Sequence, residues 1–265
     1  MLTLFQSVIY GLVQGVAEFL PISSTAHLIL VPYFFGWPDP GLSFDVGLHF
    51  GTLIAVLVYF WPDWMAMLAG TRRAISGGVA ALSHDPLVYI LVATVPGAVF
   101  GLLFEKKAET VFRSPLVIAV TLIVAGAILY WFDKKNSGTK KIADMNWIDA
   151  LVIGISQAVA IIPGVSRSGA TMTAGLASGY DKTNAARFSF LLSTPIIAGA
   201  ALLKLPDLMH GFSLSLVVAV CVSAVAGYCA IEYLFRFVSR HSFKSFFVYR
   251  VVLGLLVVAV YFFHA

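Results

Sequence analysis

The sequence predicts an all-α polytopic membrane protein made of two inverted repeats, and three observations support this fold class. First, 60% of the 265 residues are hydrophobic and 11% are charged, against roughly 25% charged residues in a soluble domain. Second, the segment from Phe44 to Met65 aligns without a gap on the segment from Phe188 to Met209, and both end in Pro-Asp-x-Met. Third, each half opens with an apolar stretch that a proline and polar residues interrupt. Such internal similarity indicates two related halves.

The stretches that open the two halves, at about 1–36 and 147–178, are expected to be re-entrant helix hairpins. Pro21 and Pro163 break them near their middles, so neither arm is long enough to cross a bilayer alone. Irregular backbone at membrane depth is tolerated only where protein or a water-filled cavity satisfies its polar groups. Hairpins that enter from opposite faces would bring their two polar tips together near the membrane midplane.

Three transmembrane helices are expected after each hairpin, because about 20 apolar residues span the hydrocarbon core. The six predicted spans are residues 44–61, 87–104, 115–132, 185–204, 214–236 and 246–263. An odd number of crossings in each half inverts the second half relative to the first, which is the inverted-repeat architecture. The segment 133–146 is a solvated linker. We therefore expect one membrane domain, 1–265, with repeats of about 1–137 and 138–265.

Lysine and arginine residues orient this arrangement in the membrane. They are concentrated in the loops 62–86, 133–146, 179–184 and 237–245, whereas the opposite loops, 105–114 and 205–213, carry few. The positive-inside rule places the basic loops in the cytoplasm, with both termini outside and the site open to the outer face. The net charge of +4 comes largely from these loops. The net charge therefore reports orientation in the membrane. A nucleic-acid partner is not expected, because the sequence has no basic patch interleaved with aromatic residues.

The first hairpin tip carries Gln14, Glu18, Ser23, Ser24 and His27. Ionisable residues at membrane depth are costly and indicate a functional site. Gln14 and Glu18 share a helix face, and so do Ser24 and His27, so that Glu18, Ser24 and His27 can converge. The simpler alternative makes the serines helix N-caps and His27 a satisfied polar contact.

The second tip, from Pro163 to Thr171, predicts a phosphate site. A helix that begins near Ser166 would offer backbone N–H groups and partial positive charge, and Gly169 would allow close approach. Arg167 adds a permanent cation whose forked donors match phosphate oxygens. The alternative is an ion pair between Arg167 and Glu18, and the two roles can coexist.

Three further residues are supporting candidates. Asp45 and His49 share a face at the start of the first span and could line the cavity, although Asp45 also suits a helix N-terminal position. Gln157 lies before the Arg167 turn, where it could orient that turn or make an interhelical hydrogen bond.

At these residues the chain resembles the BacA-type undecaprenyl pyrophosphate phosphatases. Residues Gln14 to His27 match the family's first motif. That motif is an acidic residue or Gln, then any three residues, then Glu followed by Phe-Leu-Pro-x-Ser-Ser-x-x-His. The family's second motif, Pro-Gly-x-Ser-Arg-Ser-x-x-Thr, is matched from Pro163 to Thr171. The resemblance covers the whole chain. One departure is Gln14, where some members have Glu, so that a metal or acid role there is weaker or passes to Glu18.

The resemblance implies hydrolysis of undecaprenyl pyrophosphate to the monophosphate and inorganic phosphate in the bacterial cytoplasmic membrane. This reaction recycles the lipid carrier for peptidoglycan synthesis and is linked to bacitracin resistance. A divalent cation, Mg²⁺ or Ca²⁺, is also implied, with Glu18 as its ligand and Gln14 beside it. The expected catalytic residues are Glu18, Ser24, His27 and Arg167. The expected phosphate-binding residues are Ser23, Ser166, Arg167, Ser168, Gly169 and Thr171.

Two nucleophiles remain open at this point. Either Ser24 attacks phosphorus with His27 as its base, or water attacks with Glu18 or His27 as the base. A secondary transporter or flippase for a lipid phosphate or other anion is the alternative function, since inverted repeats with broken helices are common in transporters. The hydroxyl and imidazole three residues apart favour an enzyme. The sequence allows a homodimer but does not fix the oligomeric state.

Overall fold

A computed structural model describes residues 2–78, 82, 84–109, 111–210 and 212–264, and regular structure in these residues is helical. Parts of the loops 62–86, 105–114 and 205–213 lie outside the described residues. In chain order the α-helices are Leu4–Phe19 (α1), Ser24–Phe35 (α2), Leu42–Tyr59 (α3), Trp61–Gly77 (α4), Pro86–Glu109 (α5), Pro115–Lys135 (α6), Trp147–Val159 (α7), Arg167–Ala177 (α8), Lys182–Leu203 (α9), Leu205–His210 (α10), Leu214–Val238 (α11) and Lys244–His264 (α12).

Among the described residues, five helices are long and apolar enough to cross a membrane, and they match five of the predicted spans. They are Pro86–Phe104, Pro115–Lys135, Lys182–Leu203, Leu214–Val238 and Lys244–Phe263. The predicted span 44–61 differs, because a 70° bend separates α3 from α4. These two helices are long and apolar enough to cross a membrane only when they are taken as a pair. Pro62 lies in the first turn of α4 and favours a new helix start there. The prediction of an all-helical, polytopic membrane protein is confirmed.

Two broken helix pairs, α1–α2 and α7–α8, occupy the segments predicted as hairpins, and all four arms are shorter than a membrane span. Capping residues set their starts. Thr3 and Asn146 form capping boxes at the N-termini of α1 and α7, and Ser23 and Ser166 cap α2 and α8. The breaks near Pro21 and Pro163 therefore end one helix and allow the next to begin.

Close helix packing brings the two hairpins together. Gly15 on α1 faces α11 so closely that an added Cβ would lie 2.6 Å from the Cβ of Ala226. This is the small-residue packing typical of membrane helices. α12 packs on α6, and α8 packs between α6, α7 and α9. The result is a helical framework in which the turn before α2 lies beside the turn before α8.

Candidate active site

Ser23 joins the turns before α2 and α8 directly, and Ser166 is its counterpart in the second turn. Ser23 Oγ accepts hydrogen bonds from the N–H of Gly164 on the other turn, at 3.1 Å, and from Ala26, at 3.4 Å. Ser166 Oγ caps the second helix by accepting from the N–H of Gly169 at 3.1 Å. Both serines have positive φ, 75° and 73°, which non-glycine residues seldom adopt outside strained sites. The cap interpretation thus describes Ser23 but not Ser24, and Ser166 is the cap of α8.

Glu18, which is 6% exposed, lies at the centre of the joined tips. Arg167 Nη2 donates to its Oε1 at 2.6 Å. Ser24 Oγ donates to its Oε2 at 2.7 Å, and Gln14 Nε2 donates to the same oxygen at 3.1 Å. His49 Nε2 lies 3.3 Å from that oxygen as well. The Ser24 hydroxyl and the Arg167 guanidinium thus both contact the Glu18 carboxylate. The sequence predicted that Ser24 and Glu18 converge, and it offered the ion pair of Arg167 with Glu18 as an alternative.

Arg167 begins α8 and forms the ion pair that the sequence offered as one alternative. Its second terminal nitrogen, Nη1, donates to the carbonyl oxygen of Ser189 at 3.0 Å. The side chain is 14% exposed, so the pair is largely desolvated. A desolvated guanidinium at a helix N-terminus can exchange the carboxylate for another anion.

The structure does not bring His27 to Ser24 or Glu18, contrary to the expected convergence. Its Nδ1 contacts the carbonyl oxygen of Ser23 at 2.7 Å, and its Nε2 contacts the hydroxyl of Tyr249 at 2.6 Å. The His27 and Tyr249 rings also stack, with centroids 5.7 Å apart. Both ring nitrogens are therefore engaged by other partners, because the ring packs against Tyr249 of α12.

His49 is the histidine that reaches Glu18. Asp45, which was expected to support the site, contributes its backbone, since its carbonyl oxygen lies 2.7 Å from His49 Nδ1. The Asp45 carboxylate is buried, and its Oδ1 has no hydrogen-bond partner among the described residues. The sequence placed both residues on one face near the cavity but did not identify the partner of His49.

The remaining residues expected to bind phosphate mostly hold the second tip together. Thr171 Oγ1 contacts Ser189 Oγ at 2.6 Å and donates to the carbonyl oxygen of Arg167 at 2.9 Å. Ser168 Oγ lies 3.2 Å from Ser166 Oγ and donates to the carbonyl oxygen of Leu20 at 3.3 Å. Within the first turn of α8, the N–H groups of Gly169 and Ala170 donate to the side-chain and carbonyl oxygens of Ser166, at 3.1 and 2.8 Å.

Gln157 makes neither of the contacts expected of it. Both of its amide atoms are buried without a hydrogen-bond partner in the described part of the chain. The side chain packs on Gly97, where an added Cβ would lie 2.7 Å from Gln157 Nε2. Arg167 is oriented by Glu18 and Ser189 instead.

Arg250 on α12 contacts both tips, and sequence reasoning missed it. It is completely buried and is surrounded by main-chain oxygens of both turns and of α6. An isolated arginine within the apolar segment 246–263 was the available signal, because such residues at membrane depth mark functional regions. Its guanidinium donates to the carbonyl oxygens of Leu122 (2.8 Å), Pro21 (3.1 Å), Thr121 (3.4 Å), Gly164 (2.6 Å) and Val165 (3.1 Å).

Oxygen atoms beside Glu18 could contribute to a site for a hard cation. Gln14 Oε1 is buried and has no hydrogen-bond partner among the described residues. Carboxylate and amide oxygens suit Mg²⁺ and Ca²⁺. Four other side chains, those of Arg167, Ser24, Gln14 and His49, already contact the Glu18 carboxylate, so a cation there would need further oxygens from a ligand. The oxygens of Glu18 and Gln14 therefore fit the divalent cation that the family resemblance implies.

Fold and site together define a polytopic helical membrane protein with an acid–hydroxyl–arginine cluster at the meeting point of two broken helices. The family model described as bacitracin resistance protein BacA matches residues 7–256, and the chain belongs to this family. A protein named undecaprenyl-diphosphatase from Moorella thermoacetica is 53% identical over 98% of both chains. Proteins of the same name from Pelotomaculum thermopropionicum and Desulforudis audaxviator are 49% and 50% identical, over 97% of this chain and 96% and 97% of theirs.

Proposed function

We propose that this protein is an undecaprenyl-diphosphatase that hydrolyses undecaprenyl pyrophosphate to undecaprenyl phosphate and inorganic phosphate. The observation that carries the proposal is the contact of Ser24 and Arg167 with one buried carboxylate, Glu18, at 2.7 and 2.6 Å. Phosphoryl transfer depends on positioning and on cationic stabilisation of the transferred group, and this cluster supplies both. The names of the relatives support the substrate. Hydrolysis would recycle the lipid carrier for peptidoglycan synthesis and confer bacitracin resistance.

In the proposed reaction, Arg167 and the first-turn N–H groups of α8 bind the terminal phosphoryl group. Ser24 attacks the terminal phosphorus while its proton passes to Glu18 Oε2, and the bond from that phosphorus to the bridging oxygen breaks. Undecaprenyl phosphate leaves, and water then hydrolyses the phosphoserine. Direct attack by water with Glu18 as base is the alternative. His27 is a less suitable base for Ser24, because Tyr249 and the Ser23 carbonyl engage its ring.

A divalent cation, Mg²⁺ or Ca²⁺, would be held by oxygens of Glu18 and Gln14 together with phosphate oxygens of the substrate. When bound, it would neutralise charge on the pyrophosphate. Chelation with EDTA should abolish phosphate release, and added Mg²⁺ should restore it. Full activity in EDTA would contradict the requirement for a cation.

The proposed architecture is the inverted repeat, with halves of about 1–137 and 138–265. The matching serine caps at Ser23 and Ser166, both with positive φ, support it. The proposed location is the cytoplasmic membrane, with both termini and the site opening outside. In a variant without Cys221 and Cys229, an impermeant reagent should label Pro38→Cys but not Ser137→Cys in intact cells, and the reverse would contradict the orientation. A homodimer stays a prediction.

Phosphate release by the purified protein tests the function. We expect release from undecaprenyl pyrophosphate with Mg²⁺, and a loss of at least about a hundredfold in Arg167→Ala and Arg167→Lys, since losing a bidentate charged contact costs about 3 kcal/mol. Arg187→Ala is the matched control, because Arg187 pairs with Asp63 at 2.7 Å and is 45% exposed. A folded wild-type protein that releases no phosphate would contradict the proposal and favour a lipid phosphate carrier.

A further inference from the structure

We propose that α4 is an interfacial helix that lies along the membrane surface and binds anionic phospholipids there. The proposal concerns a surface outside the candidate active site and does not depend on the proposed function. α4 begins after the 70° bend that separates it from α3. Its outer face carries two arginines and an apolar stripe, called the α4 stripe. The α4 stripe consists of four large and exposed side chains, those of Trp61, Met65, Leu68 and Ile75.

The lengths of α3 and α4 and the angle between them place α4 at a membrane surface. α3 has 18 residues and is therefore about 27 Å long, close to the roughly 30 Å of the hydrocarbon core. α4 has 17 residues. At 70° to α3 it advances only about 9 Å along the α3 axis, although its own length is about 26 Å. When α3 crosses the bilayer, α4 thus runs mostly parallel to the surface.

Contacts on the inner face of α4 fix its rotation about its own axis. In the first turn, Asp63 Oδ1 lies 2.7 Å from Arg187 Nη2 on α9. Near the other end, Thr71 Oγ1 donates to Asp85 Oδ1 at 3.0 Å. The buried side chain of Phe60 holds the bend itself. The α4 stripe lies outside this inner face, so the anchors keep it turned away from the rest of the described protein.

The α4 stripe continues an exposed apolar surface of α3. Phe50, Ile54 and Val58 follow one another at four-residue spacing on α3, and all three are exposed. Trp61 comes three residues after Val58, so the helical spacing of exposed apolar residues continues past the bend. On a helix that crosses a membrane, such a surface faces hydrocarbon, and the lipid that covers it also reaches the α4 stripe. A tryptophan at the junction suits the membrane–water interface.

Arg72 and Arg73 provide the preference for anionic lipids. Both side chains are exposed in the second half of α4, and neither forms an ion pair with another described residue. An apolar face beside cations is typical of helices that lie in the headgroup region, where the cations meet lipid phosphates. The positive-inside rule places the loop 62–86 on the cytoplasmic side, where the leaflet carries anionic lipids.

Fluorescent labels at two exposed positions test the depth of α4. In full-length protein without Cys221 and Cys229, Leu68→Cys carries a bimane label on the α4 stripe, and Ala66→Cys is the matched control on the other side of the exposed face. The protein is placed in nanodiscs of phosphatidylcholine and phosphatidylglycerol. Brominated acyl chains should quench the label at Leu68 at least about threefold more strongly than the label at Ala66, and aqueous iodide should show the reverse order.

Three results of this experiment would overturn the proposal. Equal quenching of both labels by acyl chains would make α4 the second part of a broken span. Equal quenching of both by iodide would place the α4 stripe in water. A label at Leu68 that neither quencher reaches would mean that a second copy of the chain covers the stripe.

A bimane label on Ser76→Cys, one turn after Arg72 and Arg73, tests the lipid preference. At equal mole fraction, brominated phosphatidylglycerol should quench it at least about threefold more than brominated phosphatidylcholine, because each arginine near the surface favours an anionic lipid by about fivefold. The excess should disappear when Arg72→Gln and Arg73→Gln are combined and persist in Arg240→Gln, the matched exposed control. Equal quenching by the two lipids, or an excess that survives the double substitution, would overturn the binding of anionic lipids. All the substituted side chains on α4 are exposed, so these variants should fold.

Discussion

Substitution of Arg250 by lysine should destabilise both hairpin tips. Arg250 is 0% exposed, and three guanidinium nitrogens donate to the carbonyl oxygens of Leu122 at 2.8 Å, Pro21 at 3.1 Å and Gly164 at 2.6 Å, among others. Lysine has one nitrogen and a compact geometry, so it cannot reach all three positions. At least two buried acceptors would lose their partner, at about 1 to 3 kcal/mol each. The expected loss in the free energy of unfolding is about 2 to 6 kcal/mol.

Thermal unfolding in detergent, followed by tryptophan fluorescence, measures this loss. The midpoint should fall by about 5 to 20 °C in Arg250→Lys. Arg236→Lys is the matched control, because Arg236 is 79% exposed and should show no measurable change. Phosphate release should also fall in Arg250→Lys, since both tips depend on the same guanidinium. Unchanged unfolding and unchanged activity in this variant would refute the reasoning.

Three further predictions concern the tips. Gly164→Ala should lower the free energy of unfolding by at least about 2 kcal/mol, because the added Cβ would clash with Thr121 Oγ1. Gly36→Ala is the control, since Gly36 also has positive φ but open space around it, and it should lower the free energy of unfolding by only about 1 kcal/mol. Ser24→Ala should lose at least a hundredfold in kcat if Ser24 is the nucleophile, and a loss below tenfold, measured by phosphate release, would favour direct attack by water. Tyr249→Phe keeps the ring that stacks on His27 but removes its hydroxyl. It should leave kcat within about threefold of wild type, because one neutral hydrogen bond is worth about 1 kcal/mol. A far larger loss of kcat would assign His27 a proton-transfer role.

Local chemistry explains what the sequence predicted well. Pro21 and Pro163 lack an N–H group and interrupt apolar helices, and the serines that follow are strong N-caps, so both hairpins could be located. The contact between Glu18 and Arg167 was foreseen as the alternative to phosphate binding, because two opposite charges at membrane depth need each other. Five spans have nearly the predicted bounds, since length and hydropathy suffice for them. The relation between the halves stays a prediction.

Long-range packing explains what the sequence did not predict. Helical spacing allowed His27 to approach Ser24, but packing of α2 against α12 pairs it with Tyr249. The contact of His49 with Glu18 depends on how α3 lies against α1, which no local pattern encodes. Arg250 was overlooked within an apolar span, although its isolation there was a usable signal. Pro62 was the only sequence signal for the bend between α3 and α4.

Hydrolysis of undecaprenyl pyrophosphate in ¹⁸O-labelled water is the most direct test of terminal phosphoryl transfer at the joined tips. Attack on the terminal phosphorus, by Ser24 followed by water or by water alone, should put one solvent oxygen into inorganic phosphate and none into undecaprenyl phosphate. Mass spectrometry of both products gives the distribution. Label in the lipid phosphate would mean attack on the inner phosphorus, and the absence of labelled phosphate from a folded protein would contradict the proposed hydrolysis.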